Sequence, residues 1–368
     1  GVIDVSTVRK YAEVKKGYTY FRDGDVLFAK ITPCMENGKM AVARQLRNGI
    51  GFGSTEFHVL RPREGVDAHY VYHFVSSARF RAEAAHRMTG AVGQKRVPSA
   101  FLEQTEIPLP PINEQRRIVA EMEKQFSRLT AAVANVKRAR ARLSAYRGSV
   151  LSAVQNGELR GMNYSDWPVQ TIGELATTVQ YGSSTKTSAT EKGMPVLRMG
   201  NIENGELVLD NLKYLPVNHD EFPDLLLETG DLLFNRTNSP ELVGKVAVYK
   251  GNPSPCSYAS YLIRLRFNDE VVPEFVAYVL NSSFGRAWVR SVVSQQVGQA
   301  NVNGSKLKAF QFRLPSMNLQ RELVAEAERH LSIIRETGAQ LVAAERRSER
   351  LRGRLLADAF PKLGAKEK

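Results

Sequence analysis

The chain has 368 residues, of which 43% are hydrophobic, so wholesale disorder is excluded and two or three domains with buried cores are possible. Its formal net charge of +13 at pH 7 favours polyanionic partners, and its two cysteines exclude a disulfide framework and indicate a reducing cytoplasm. No apolar run approaches the roughly 18 residues that a membrane helix needs, and no signal-peptide pattern is visible. We therefore expect a cytoplasmic protein with no membrane partner.

Residues 1–108 predict a domain of mixed strands and short helices. Residues 20–60 alternate short apolar runs, such as VLFAKI, MAVAR and FHVLRP, with glycine, asparagine and proline turns, which is typical of antiparallel strands. Residues 67–87 have the apolar spacing of a helix. A polar loop, TGAVGQKRVPS, then leads into FLEQTEIPLP, which we predict to be a short strand.

Residues 109–157 predict a first long coiled-coil helix. Two prolines end the preceding segment, and Asn113 is a suitable N-cap. From residue 122 to residue 154 the seam positions recur at alternating steps of four and three, and Arg140 and Arg147 interrupt the apolar pattern. About 40 residues at roughly 1.5 Å each give a rod on the order of 60 Å long. Because such a rod has one apolar stripe, it needs a partner.

Residues 158–314 predict a linker and a second domain, and residues 315–368 predict a second long helix with a charged tail. The polar linker NGELRGMNYSDW comes first. The predicted strands are VQTIGEL, MPVLRMG, GDLLFNR, GKVAVYK and SYLIRLRF. They are followed by a predicted helix, PEFVAYVLNSSFGRAWVRSV, and by a polar loop, QQVGQANVNGSKL, before the closing strand.

The second half of the chain repeats the first. LPSMNLQRELVAEAERHLSI stands 205 residues after LPPINEQRRIVAEMEKQFSRL, and the coiled-coil seam keeps its phase through this offset. Upstream, the GDVLF and GDLLF segments match at an offset of 206. A repeat of this length predicts a duplicated unit of one globular domain and one rod. The first copy has no counterpart of residues 167–205, so we expect its domain to be shortened at the N-terminus.

These motifs carry a resemblance to a known family. GDVLF and GDLLF, LPPINEQR at the start of a long helix, Trp167-Pro168 at the start of the second domain, and QQVGQANVNGSKL are similar to the specificity subunit of type I restriction–modification enzymes. The resemblance covers nearly the whole chain. It implies an α+β fold: two similar target-recognition domains of mixed strands and short helices, separated by two long antiparallel helices that form a coiled coil.

The resemblance also implies a function and partners. Each domain is expected to read one half of a bipartite site in double-stranded DNA, while the chain scaffolds adenine methyltransferase subunits and a motor–nuclease subunit. S-adenosylmethionine, ATP and magnesium are expected in those partners, and no cofactor is expected in this chain. The alternative is a non-catalytic coiled-coil scaffold that binds nucleic acid without sequence specificity.

No catalytic or metal-binding motif is found in the sequence. Gly38-Lys39 and Gly244-Lys245 are not P-loops, because Pro33 and Ser239 stand where the first glycine is needed. An amino-methyltransferase needs an Asn/Asp-Pro-Pro-aromatic loop, and NPSP at residues 252–255 does not match it. His69 and His73 lie four residues apart on a predicted helix, but no further ligand stands at metal spacing, so a packed or surface pair is favoured.

Candidate DNA-binding residues were sought among the arginine, lysine, asparagine and glutamine side chains that read base edges. Three polar stretches of the second domain are rich in such residues: residues 181–186, 235–239 and 295–303. The last two have counterparts in the first domain. The plain alternatives are a polar surface loop and ordinary turn chemistry. The predicted DNA-binding residues are Lys30, Gln94, Lys95, Arg96, Lys186, Asn235, Arg236, Asn238, Gln296, Gln299, Asn301, Asn303 and Lys306.

Overall fold

A computed structural model describes residues 2–91, 93–162, 164–190, 193–296 and 299–360, without the side chains of residues 295, 296 and 299. The chain divides into two compact units: unit 1 is Gly1–Arg138 with Leu341–Lys368, and unit 2 is Ala139–Gln340. Each unit combines one globular domain with one end of each long helix. The four segments predicted from the sequence therefore stay a prediction about domain limits, and the predicted tail after residue 360 lies outside the described residues.

The described residues of unit 1 form five short strands and four short helices before the first long helix. The strands are β1 Thr19–Arg22, β2 Val26–Ala29, β3 Met40–Val42, β4 Ile50–Gly53 and β5 Phe57–Leu60; the helices are α1 Tyr11–Val14, α2 Ala68–Ser76, α3 Ala78–His86, α4 Ser99–Gln104 and α5 Ile112–Gln155. An antiparallel sheet has the order β3-β2-β5, and β1 pairs with β4. Val26 and Phe28 of β2 are buried against Val75 and Phe80 of the helices.

Unit 2 has a larger set of strands around a similar helix pair. The strands are β6 Val169–Thr171, β7 Ala176–Tyr181, β8 Met194–Leu197, β9 Ile202–Glu203, β10 Glu206–Leu207, β11 Lys213–Leu215, β12 Leu232–Asn235, β13 Thr237–Asn238, β14 Val246–Val248, β15 Ser257–Tyr258, β16 Leu262–Phe267, β17 Ser294–Gln296, β18 Gln299–Asn301 and β19 Gln311–Arg313. The helices are α6 Ile172–Leu175, α7 Pro273–Asn281, α8 Ser283–Val292, α9 Gly304–Lys308 and α10 Met317–Ala359. The central antiparallel sheet has the order β14-β12-β16-β7.

The helix predicted over residues 67–87 is two helices, because a serine stops the first and caps the second. Ser77 ends α2 in an extended conformation, and its hydroxyl accepts a hydrogen bond from the Phe80 N–H at 3.2 Å. Ser282 makes the same break between α7 and α8. A β-carbon at Gly285 would lie 2.4 Å from the Leu280 carbonyl oxygen, so this turn requires glycine.

Three other local predictions are wrong. FLEQTEIPLP is not a strand, since α4 covers its first residues and the described chain from 105 to 111 pairs with no strand. Part of VQTIGEL is the helical turn α6, which Thr171 and Glu174 close as a reciprocal capping box. The predicted loop QQVGQANVNGSKL instead holds β17, β18 and α9. Short apolar runs do not separate strand from helix by periodicity alone.

Each long helix is anchored by a buried glutamine at the same position of the repeat. Gln115 accepts from the Asp67 N–H and donates to the Gly65 and Pro110 carbonyls. Gln320 accepts from the Val272 N–H at 2.8 Å and donates to the Glu270 and Pro315 carbonyls, both at 2.9 Å. Each amide thereby joins the start of a long helix to the loop before a helix pair.

Replacing Gln320 by alanine is expected to destabilise unit 2 by about 3 kcal/mol, because it leaves one N–H and two carbonyls unpaired in a buried site. Thermal unfolding followed by circular dichroism measures the loss. Gln340 is exposed on the same helix, so the matched Gln340→Ala change should cost less than about 0.5 kcal/mol. Equal effects of the two variants contradict the anchoring role.

The two long helices run antiparallel within each unit. In unit 2, Leu151 and Val154 at the end of α5 share a core with Leu323 and Ala327 at the start of α10. In unit 1, Met122 near the start of α5 shares a cluster with the end of α10. The predicted α+β fold with two similar domains and two long antiparallel helices is confirmed.

Candidate DNA interface

Two predicted polar stretches of unit 2, about 60 residues apart in the chain, form one small sheet. β13 pairs with β18, which sets Thr237 opposite Asn301 and Asn238 opposite Ala300. β18 pairs in turn with β17. The sheet order β13-β18-β17 therefore brings the segment after the buried strand β12 beside the amide-rich segment that precedes α9.

Arg236 lies at the start of this sheet. Its guanidinium is held in place by neighbouring groups, but its N–H donors are not all used in good hydrogen bonds. The guanidinium carbon lies 4.7 Å from the centroid of the Tyr181 ring. Its Nη1 is 3.4 Å from the Ser260 carbonyl oxygen and its Nη2 is 3.5 Å from the Asn301 Oδ1, both long for hydrogen bonds. The buried Nε has no partner among the described residues. A forked donor held in this way can bind a base edge or a phosphate.

Tyr181 is itself held in place. Its hydroxyl oxygen accepts from the Gly304 N–H at 2.8 Å, while the residue stays 42% exposed. A β-carbon at Gly182 would lie 2.3 Å from the Tyr258 carbonyl oxygen, so only glycine fits directly after Tyr181. The stacking platform under Arg236 is therefore rigid and open to solvent on one side.

Asn301, Asn238 and Tyr261 complete what we call the Arg236 surface, defined as Tyr181, Arg236, Asn238, Tyr261 and Asn301. Asn301 donates to the Thr237 hydroxyl at 2.7 Å. The Asn238 side-chain Oδ1 accepts from the Ser239 N–H at 2.9 Å. Tyr261 is 47% exposed, and its carbonyl accepts from the Arg236 N–H at 3.0 Å. The surface thus combines arginine and amide donors with two exposed tyrosines.

Three predicted residues of unit 2 make structural contacts within the fold. Asn235 is fully buried and donates to the Leu242 carbonyl at 3.2 Å, so its side chain is out of reach of a base. Asn303 caps α9 by accepting from the Lys306 N–H at 2.9 Å. The Lys306 ammonium donates to the Val292 carbonyl and the Ser294 hydroxyl. These contacts orient both side chains, and Asn303 stays exposed.

The other three predicted residues of unit 2 stay predictions. Lys186 is exposed in the loop after β7. Gln296 and Gln299 face each other in the β17–β18 ladder. The side chains of these two glutamines lie outside the described residues.

Unit 1 brings its predicted residues together at the equivalent place. An isolated bridge joins Ile31 to Arg96, as β13 joins β18 in unit 2. The Lys30 N–H donates to the Glu56 carbonyl. Arg96 binds the Glu56 carboxylate with two hydrogen bonds of 2.9 Å, and these bonds lower the pKa of Glu56 below its ordinary value. Gln94 and Lys95 are exposed beside this pair.

The two units therefore present different chemistry at one repeat position. Lys30 and Arg96 stand where Arg236 and Asn301 stand in unit 2. Sequence reasoning missed Tyr261, and it noted Tyr181 only as the start of a polar loop. An aromatic residue at an exposed position beside a buried strand was the available signal, since large exposed apolar groups are common at binding sites.

The described residues contain no group of three or more histidine, cysteine, aspartate or glutamate side chains able to hold a metal ion. His73 packs against Phe126, with ring centroids 5.6 Å apart, and burial lowers its pKa to about 4. His69 lies 3.2 Å from a Glu123 carboxylate oxygen. In the same described part of the chain, every helix is too short or too polar to span a membrane.

Two sequence relatives match different shares of this chain. The EcoAI type I restriction enzyme specificity subunit of Escherichia coli is 48% identical over 113 residues, which are 30% of this chain and 19% of that relative. The StySPI type I restriction enzyme specificity subunit of Salmonella potsdam is 25% identical over 308 residues, which are 82% of this chain and 66% of that relative. The match thus spans about a fifth of EcoAI and about two thirds of StySPI.

A solved structure from work on complex assembly and conformational transition of the type I R-M system matches this chain with a TM-score of 0.74 at 21% sequence identity. The match covers 94% of this chain and 84% of that one, and at this identity it establishes the fold. The family model described as type I restriction modification DNA specificity domain matches residues 2–138 and 164–337. Because these two segments make up most of the sequence, the chain belongs to the type I restriction modification DNA specificity domain family.

Proposed function

We propose that this chain is the sequence-specific DNA-recognition subunit of a type I restriction–modification complex. In this proposal unit 1 and unit 2 each read one half of a bipartite target in double-stranded DNA. The observation that carries the proposal is the Arg236 surface, where an unsaturated guanidinium, two amides and two exposed tyrosines lie at the position that Lys30 and Arg96 occupy in unit 1. Arginine and asparagine are the side chains that bind guanine and adenine edges in the major groove.

The charge of the chain supports binding to DNA, and the difference between the units supports specificity. A net charge of +13 supplies the sequence-independent attraction to phosphates. The two surfaces then differ in donors and aromatic rings, as two readers of an asymmetric site must. A scaffold that binds nucleic acid without sequence preference needs no such difference.

The same proposal includes partners and the absence of chemistry in this chain. Adenine methyltransferase subunits would supply methyl transfer with S-adenosylmethionine, and a motor–nuclease subunit would supply ATP- and magnesium-dependent steps. The chain itself would be non-catalytic and cytoplasmic. Its exposed long-helix faces are suited to docking the helices of such subunits.

Selection from a random duplex library with the purified full chain tests this function. We expect one enriched site with two short defined halves and an undefined spacer. Binding to that site should survive a hundredfold excess of random DNA at physiological salt, because specific sites are typically at least about a thousandfold tighter. Raising the salt should weaken both kinds of binding. Enrichment of no defined sequence favours the scaffold and rejects the proposal.

A further inference from the structure

Glu56 of unit 1 occupies the repeat position of Tyr261 in unit 2. In unit 1, the Lys30 N–H donates to the Glu56 carbonyl at 3.0 Å. In unit 2, the Arg236 N–H donates to the Tyr261 carbonyl, also at 3.0 Å. The main chain therefore places Glu56 at the position that Tyr261 has on the Arg236 surface, where the sequence alone did not indicate a DNA-binding residue.

The Glu56 carboxylate holds one edge of the Arg96 guanidinium. The Arg96 Nε donates to the Glu56 Oε2 and the Arg96 Nη2 donates to Oε1, both at 2.9 Å. The Arg96 Nη1 donates to the Gln94 carbonyl at 2.9 Å. Because a guanidinium has five N–H groups, Nη1 and Nη2 each keep one N–H that no described residue takes up. The Arg96 side chain is 41% exposed, so a ligand can reach these donors.

The main chain around Arg96 is fixed without this ion pair. The Arg96 N–H donates to the Thr89 carbonyl at 2.8 Å, and the Thr89 N–H donates to the Arg96 carbonyl at 3.0 Å. The next residue, Val97, donates its N–H to the Lys30 carbonyl at 2.9 Å. An ion pair between partly exposed side chains adds little to stability. The Glu56–Arg96 pair is therefore better explained by the donors that it presents to solvent.

The pair suits a neutral base edge better than a phosphate. The Glu56 carboxylate offsets much of the guanidinium charge and repels phosphate oxygens, whereas phosphate contacts depend on charge. A base edge instead requires donors at fixed positions. Guanine presents two acceptors, O6 and N7, side by side in the major groove, and they match a forked arginine donor.

We propose that Arg96 reads a guanine in the half-site of unit 1 and that Glu56 is the positioning residue that fixes its guanidinium. This inference rests on the proposed function and deepens it, since it names a base and the side chains that select it. Unit 2 has Asn301 and Tyr261 at these two positions, so its half-site does not share this contact.

Binding to the duplex obtained by selection tests the reading of guanine. Each guanine of that duplex is replaced in turn by deazaguanine, which still pairs with cytosine but lacks the N7 acceptor. At one position the replacement should weaken binding of the parent chain at least about fivefold, because a charged donor loses its acceptor. Arg96→Ala should bind the two duplexes equally. The position should lie in the half-site whose reading Arg236→Ala leaves intact. The first measurement uses the parent chain alone, so a folding defect cannot produce its result.

Two glutamate variants test the positioning role. Glu56→Gln removes a negative charge, so it should bind random DNA more tightly than the parent does. Its preference for guanine at that position should fall at least about fivefold, because one amide oxygen cannot hold both guanidinium nitrogens. Glu64 is exposed in the turn before α2, and Glu64→Gln makes the same charge change but should keep the guanine preference. A purely structural role for Glu56 would not move the two measurements in opposite directions.

The outcomes separate this inference from the proposed function. Selection of no defined sequence rejects the proposed function, and this inference fails with it. If a bipartite site is selected but Arg96→Ala weakens binding to all sequences equally, Arg96 contacts phosphate and the inference is overturned. It is also overturned if the preference lost in Arg96→Ala is for a base other than guanine, or if Glu56→Gln keeps the guanine preference of the parent.

Discussion

Replacing Arg236 by alanine is expected to weaken binding to the specific DNA site by about 10- to 100-fold, because a bidentate arginine contact contributes roughly 1–3 kcal/mol of base discrimination. The guanidinium is stacked on Tyr181 at 4.7 Å, and its long contacts to Ser260 and Asn301 leave donors free to bind DNA. The loss should be confined to one base position in one half-site. Competition binding with single-base variants of the selected site measures it.

Two further variants separate base reading from charge. Arg236→Lys keeps the charge but loses the planar fork. Its binding to random DNA should therefore equal that of the parent, while its base preference should be as weak as that of Arg236→Ala. Arg290 is an exposed arginine on α8. Arg290→Ala should weaken binding slightly, and to the same extent for every DNA sequence. Tyr181→Phe keeps the ring but frees the Gly304 N–H, so we expect a smaller loss of the same preference. An equal loss at both half-sites in Arg236→Ala contradicts the assignment.

The sequence predicted the parts of the fold that are long or repeated. The two long helices have a seam of about ten positions each, which fixes the period. Strands β2 of unit 1 and β12 of unit 2 were predicted because GDVLF and GDLLF recur at one offset. The structure buries both strands. A strand of four residues is too short to be identified by its periodicity, but agreement between the two copies identifies it.

The errors occur where a single side chain or a distant strand decides the local structure. Ser77 and Ser282 split helices whose apolar spacing continues on both sides. β18 forms because it pairs with β13, which lies about 60 residues earlier in the chain. The predicted strand around residue 106 pairs with no other strand of the described residues, whereas β19 at the equivalent position pairs with β6. None of these pairings is visible in a local window.

The candidate site was predicted in part for the same reason. Arg236 and Asn301 were found because polar residues recur at repeat positions, but their contact with Tyr181 depends on the sheet. Asn235 was predicted to bind DNA because an asparagine at the end of a strand is expected to be exposed. The alternation of β12 is not followed there: all four of its residues are buried.

Removing one heptad from each long helix is expected to shorten the preferred spacer between the two half-sites by about three base pairs. Seven residues at roughly 1.5 Å give about 10 Å, and duplex DNA rises about 3.4 Å per base pair along each strand. Suitable segments are residues 131–137 of α5 and residues 341–347 of α10. They lie between the Phe126–Arg352 contact in unit 1 and the Leu143–Gly338 approach in unit 2, so both sets of packing contacts are kept.

A heptad is chosen because it almost preserves the helical face, with a drift of about 20°. Three base pairs rotate the DNA by about 100°, since a turn takes roughly 10.5 base pairs. The shortened protein should therefore prefer the shorter spacer yet bind it more weakly than the parent binds its own site. Binding to a panel of duplexes with spacers reduced by one to five base pairs measures the preference. Replacing the same heptads with others that keep the apolar positions should leave the spacer unchanged. If the deletion also leaves it unchanged while each half-site is still read, the long helices do not set the distance between the readers.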